Sequence, residues 1–201
     1  MGDLMNQTKI AGIDYSLTSP AICIYNEEWK NDGLFDFDRC TLYYLSNSQK
    51  QQQLATGSGI GNIKAEIYPE WETEEERHDY LSDWAMGIIQ GCREVYIEGY
   101  AFATSGTSHV RSIAENTGLL KHKMAKIKIP FKLFPPTVIK KFATGKGNSN
   151  KEAMYEAFQD ELLTPTNLQE ILTPKSKKIK SPVSDIVDAY FIAKCGSEGM
   201  L

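Results

Sequence analysis

Lys9-Ile-Ala-Gly-Ile-Asp14 decides how this chain is read: a short apolar run of strand character, closed by a single acid. A second run, Ala21-Ile-Cys-Ile-Tyr25, follows Tyr15-Ser-Leu-Thr-Ser-Pro20, a connection rich in turn formers. Residues 41–45 give a third strand, so the chain is expected to open as an antiparallel set of three. Farther on, Val95-Tyr-Ile-Glu98 repeats the first pattern, apolar residues ending in an acid, and residues 131–134 form a fifth strand.

The helices announce themselves by caps and periodicity. Thr73-Glu-Glu-Glu76 is a capping box, with acids in the first turn where the helix dipole favours them. Tyr80, Leu81, Trp84, Ala85, Ile88 and Ile89 then recur at helical spacing. Val110, Ile113, Ala114, Thr117, Leu120 and Met124 form the stripe of a second long helix, stopped by Pro130. Pro135-Pro136 opens a helical turn reaching Phe142, residues 151–162 and 168–172 are helical, and Pro182 sits in the first turn of the last helix. Residues 47–63, with three consecutive glutamines and then Gly57, Gly59 and Gly61, read as an irregular loop. Strands first, then alternating helices and strands, predict an α/β domain: a mixed five-stranded sheet with helices on both faces.

A chain of 201 residues holds one such domain, placed at residues 9–196, with a frayed polar segment 1–8 before it and a short tail 197–201 after it. No apolar run is long enough to span a bilayer and the first residues lack a signal-peptide pattern, so a cytoplasmic location is the expectation. Cys23, Cys40, Cys92 and Cys195 form no Cys-x-x-Cys pair, and His78, His109 and His122 show no ligand spacing. The thiols therefore read as buried and free, and a zinc hydrolase is disfavoured.

The net charge of −4 hides a segregation. Between Asn116 and Lys151 lie nine lysines and no acid, and Lys175, Lys177, Lys178 and Lys180 make a second basic run. Local patches, not the sum, govern contact with phosphates, although a solvated lysine-rich face has the same composition.

Four acids draw the chemistry together. Asp14 and Glu98 close strands, and Ser184-Asp185-Ile-Val-Asp188 places two more acids three residues apart on a helix. If the strand of Glu98 lies parallel to and beside that of Asp14, the two ends are about 5 Å apart, and the last helix need only dock across them. Such a group of oxygen ligands suits hard cations such as Mg²⁺, and a two-metal site activates water for in-line attack on a phosphodiester. Each acid alone also has a plainer explanation: Asp14 as a turn cap, Glu98 as an exposed strand end, Asp185 and Asp188 as a solvated helix face.

Gly12-Ile-Asp14-Tyr-Ser-Leu-Thr18 resembles the opening motif of RuvC-type Holliday junction resolvases, which have the RNase H-like fold. Ile97-Glu98-Gly-Tyr-Ala-Phe102 is similar to that family's second acidic motif, and Asp185-Ile-Val-Asp188-Ala-Tyr190 to its C-terminal acidic pair. The segment from Pro135 to Lys151, with its Thr-Gly-Lys-Gly core, resembles the family's basic segment and is the distinctive match. The resemblance implies that Asp14, Glu98, Asp185 and Asp188 hold two Mg²⁺ ions, with Mn²⁺ as a substitute. One ion would generate the nucleophile and the other stabilise the leaving 3′ oxygen, giving 5′-phosphate and 3′-hydroxyl ends. It makes Lys151 a catalytic lysine near the scissile phosphate, with Lys140, Lys141 and Lys146 holding the strand. Tyr100 or Phe102 would stack in an opened junction, packing in the core being the other reading of both. It further implies a homodimer acting on Holliday junctions in DNA recombination and repair, for which the helix through Val110 and Met124 is one candidate pairing surface. Residues 46–71 and the lysine-rich stretch before Pro182 depart from the compact family pattern. Bacteriophage members of the family vary in this way and accept branched DNA more broadly.

Three rivals share some of these features. A ribonuclease H acting on RNA–DNA hybrids would have the same fold and acids, but the segment from Lys140 to Lys151 suits resolvases better. An actin-like ATPase also begins with Gly-Ile-Asp, yet needs two such domains. A junction-binding module without catalysis has no use for acids at all four positions.

Overall fold

The computed structural model describes residues 8–29, 35–57, 62–99, 107–162 and 167–199. Its strands are β1 (Lys9–Asp14), β2 (Ala21–Asn26), β3 (Cys40–Ser46), β4 (Ile63–Ile67), β5 (Glu94–Glu98) and β6 (Phe131–Phe134). They form one mixed sheet in the order β4-β3-β2-β1-β5-β6. The opening three strands are antiparallel, whereas β5 and β6 add in parallel on one side and β4 pairs in parallel with β3 on the other.

The sheet therefore has six strands among the described residues, not five. The sixth, β4, is preceded by a helix, α1 (Gln49–Gly57), in the stretch expected to be an irregular loop. A polar sequence such as Gln-Lys-Gln-Gln-Gln gives no apolar period, so the helix owes its place to packing against β4 and the later helix α6 (Leu168–Leu172). The remaining helices are α2 (Glu74–Ile89), α3 (Thr107–Lys126), α4 (Pro136–Thr144), α5 (Lys151–Glu161) and α7 (Val183–Ser197). Thr73 caps α2 as its sequence requires, its hydroxyl accepting from the Glu76 amide.

Strand alternation sends the side chains of β1 to two different cores. Ala11 and Ile13 pack with Val95 and Ile97 beneath α2 and α3, against Leu81, Ala85, Leu120 and Met124. Ile10 and Tyr96 face the other way, toward Ile186, Ala189, Tyr190 and Ala193 of α7, with Met154 and Phe158 of α5 behind them. Each large apolar side chain buried in these layers contributes roughly 1.5–3 kcal/mol. Gly12 shares the α7 face with Ile10, and its missing side chain lets the helix lie directly on the strand.

Burial corrects two finer expectations. The stripe on α3 is shifted: Val110 and Ala114 are exposed, while Ser112 and Asn116 join the expected Thr117, Leu120 and Met124 inside. α7 is enclosed on almost every side, with Asp185 buried and Asp188 half-buried, so its acids do not form a solvated face. All four cysteines are buried and free, as their spacing implied. No helix of the described residues is long and apolar enough to cross a membrane.

Candidate active site

β1 and β5 run parallel in register, with Ile13 opposite Ile97, so Asp14 and Glu98 are the next residues along neighbouring strands. Parity decides where they point. Asp14 lies two residues beyond Gly12, and Glu98 two beyond Tyr96, so both fall on the α7 face. On α7, Asp185 is one turn N-terminal of Ala189, whose carbonyl lies against Gly12. Two residues forward on the strand and one turn back on the helix bring Asp14 to the acids of α7.

Electrostatics records this meeting. Burial pushes the Asp14 carboxyl well above the usual carboxylate range, and Glu98, Asp185 and Asp188 push it further, with Lys151 opposing. Asp188 is raised to about 7 by burial, Glu98 and Asp185, against the pull of Lys151 and Lys140. Glu98 is raised by burial and by Asp185, with Lys140 opposing. Four carboxylates thus share one poorly solvated pocket, and two lysines face them.

Two hydroxyls hold Asp185, the acid in the first turn of α7. Ser19 Oγ donates to Asp185 Oδ2, and Ser184 Oγ donates to Asp185 Oδ1 at 3.0 Å. Lys151 Nζ in turn donates to Ser184 Oγ at 3.1 Å. The loop that carries Ser19 is tied down behind: the Leu17 carbonyl accepts from Tyr68 Oη at 2.6 Å and from Arg77 Nη2. Neither serine was singled out from sequence. Ser184 precedes an acid at a helix start, where hydroxyls are common, and Ser19 lies in a turn whose composition explains it without any site.

The lysines divide. Lys140, on α4, and Lys151, at the start of α5, face the acids, and Asn150 sets that start by accepting from the Ala153 amide at 2.9 Å. Lys141 and Lys146 are exposed at the surface and are not among the charges that act on Asp14, Glu98 or Asp188. Elsewhere in the basic stretch Lys123 is paired with Asp79 and Asp83, and Lys132 with Glu94. Tyr100 and Phe102 lie outside the described residues.

Among the described residues no three His, Cys, Asp or Glu side chains are gathered tightly enough to grip an ion as they stand. The donor set nevertheless fits a hard divalent cation. Every candidate ligand is a carboxylate oxygen, and the crowding that raises Asp14, Glu98 and Asp188 is a repulsion that a divalent cation would relieve.

No family model matches this chain, and no curated protein sequence matches it either. Solved structures do resemble it. The RuvC structure of Thermus thermophilus superposes with a TM-score of 0.56 at 15% identity, over 95% of this chain and 96% of that one. T. thermophilus RuvC in complex with a Holliday junction substrate gives 0.57 at 15% identity, over 92% and 90%. A fowlpox virus resolvase in complex with Holliday junction DNA gives 0.47 at 14% identity, over 96% and 99%. The chain has the RuvC-type, RNase H-like fold along nearly its whole length.

Proposed function

We propose that this chain is a divalent-metal-dependent endonuclease that cuts Holliday junctions or other branched DNA, leaving 5′-phosphate and 3′-hydroxyl ends. The observation that carries the reading is the electrostatic union of Asp14, Glu98, Asp185 and Asp188 beside Lys140 and Lys151. On this reading those four acids hold two Mg²⁺ ions, or Mn²⁺ in their place. When bound, the ions supply Lewis acidity at the scissile phosphate and activate water.

The chain's own residues supply order and charge. Ser19 and Ser184 hold both oxygens of Asp185, so this carboxylate presents one orientation to an incoming ion. Lys151, placed by Ser184, puts a positive charge where negative charge grows on the phosphate during attack. Lys140 serves the Glu98 side of the pocket in the same way, and Lys141 and Lys146, exposed nearby, hold the DNA backbone. Tyr100 or Phe102 is proposed to stack on a base of the opened junction. Action on both sides of a junction calls for a homodimer, for which the Val110 side of α3 offers an exposed apolar position, 38% accessible.

The test is cleavage with Mg²⁺ or Mn²⁺ of a labelled four-way junction and a labelled RNA–DNA hybrid of equal length. Preferential junction nicking supports the proposal. Preferential hybrid cleavage would replace it with a ribonuclease H activity, and tight junction binding without nicking would leave a non-catalytic binding module.

A further inference from the structure

Two hollows meet beside the carboxylates. The inner one, about 310 Å³, begins at Ser19, whose hydroxyl holds Asp185, and is lined further by Thr18, Ser46, Asn47 and Ser181. The outer one, about 360 Å³, shares Ser48 and Gln51 with it and carries Lys50, Lys175 and Lys180 on its walls. No Asp or Glu is among the lining residues of either.

The lysines of the outer hollow carry unneutralised charge. Lys123, Lys132 and Lys194 are neutralised by ion pairs, whereas Lys50, Lys175 and Lys180 are exposed and make none among the described residues. They come from two stretches far apart in sequence, α1 and the connection into α7, and converge on one hollow. The connection is ordered. Gln169 Nε2 donates to the Ser176 carbonyl at 2.8 Å, Ser176 Oγ donates to the Lys178 carbonyl at 2.7 Å, and Leu172 and Ile179 are buried beneath. A solvated basic run has no reason to be pinned at both ends or to face a second lysine across an acid-free trough.

We infer that these hollows form a track for DNA leading out of the active site. Phosphates flanking the cut pass over the hydroxyl- and amide-lined inner hollow and then onto Lys50, Lys175 and Lys180. Hydroxyls and amides donate to phosphate oxygens without reading bases, and lysines displace counterions, so the track positions the strand rather than selecting its sequence. The inference rests on the nuclease reading above and gives α1 and the 173–180 connection a substrate-holding role.

The experiment uses the full chain and a labelled four-way junction. Affinity is measured against salt for the wild type and for K50Q/K175Q/K180Q. In parallel, K175C, the one exposed thiol beside four buried native cysteines, carries an aryl azide for photocrosslinking. The expected results are a log–log salt slope shallower by about 3 in the triple variant and a crosslink to nucleotides flanking the cut. Absence of either, in a protein whose wild type binds and nicks the junction, overturns the track alone. A wild type that neither binds nor nicks the junction overturns the nuclease reading and the track with it.

Discussion

The backbone nitrogen of Ala193 lies 2.2 Å from where a side chain on Gly12 would begin, with the Ala189 carbonyl oxygen at 2.5 Å from the same point. Both obstacles are main chain, so neither can swing aside. This contact sets the height of α7 above β1, and with it the separation between Asp14 and the acids at the start of that helix.

Gly12→Ala is therefore expected to lift α7 from the sheet. Overpacking of this kind costs about 1–3 kcal/mol or more, read as a fall in melting temperature. Nicking activity is expected to fall more than stability does, because Asp14 and Asp185 part company. A variant as stable and as active as the wild type would show that the close approach has no part in the site.

Asp14→Asn and Asp188→Asn are expected to abolish junction nicking while junction binding, measured by gel shift without metal, stays within a few-fold of wild type. Each change removes a charged oxygen from the buried group and leaves the exposed lysines untouched. Nicking at wild-type rates in either variant would take these acids out of the chemistry.

The same charges set a pH dependence of stability. Asp188 titrates near 7 in the folded chain against an ordinary value of 3.8, so between these pH values the folded state binds more protons than the unfolded one. Metal-free protein is thus expected to lose stability as pH rises from about 4 to about 7, with Asp14 and Glu98, shifted in the same direction, adding to the loss. Thermal melts in EDTA across that window measure it, and Mg²⁺ should flatten the decline. Asp188→Asn should raise the melting temperature in EDTA at pH 7 by ~3–6 °C, the equivalent of ~1–2 kcal/mol.

Ser19→Ala frees one oxygen of Asp185 from its hydroxyl donor. The expected outcome is a several-fold rise in the Mn²⁺ concentration giving half-maximal nicking, with most of the rate recovered at saturating metal. An unchanged metal requirement would reduce Ser19 to a turn residue.

Much of the strand framework was legible because the short apolar runs of β1 and β2 are separated by turn formers, and an acid after an apolar run marks a strand end wherever it falls. What sequence could not supply was direction. That Asp14 and Glu98 share a face follows only once β5 is known to lie parallel to β1 in this register, and the burial of Asp185 only once α7 is enclosed. α1 went unread because its stabilisation is tertiary, although Ser48 three residues before Gln51 has the form of a capping box. Ser19 and Ser184 were hidden for a different reason: hydroxyls are ordinary in turns and at helix starts, and their target is visible only in three dimensions. The lysines looked alike as a list, and folding sorts them into two facing the acids, others neutralised in ion pairs, and others left on the surface.

The most direct measurement is anomalous diffraction from a crystal of this protein soaked in Mn²⁺. Two peaks are expected in the pocket bounded by Asp14, Glu98, Asp185 and Asp188, near enough for each ion to take carboxylate oxygens from that group. Saturating Mn²⁺ with no peak there, or with peaks only elsewhere on the surface, would contradict the metal-dependent nuclease.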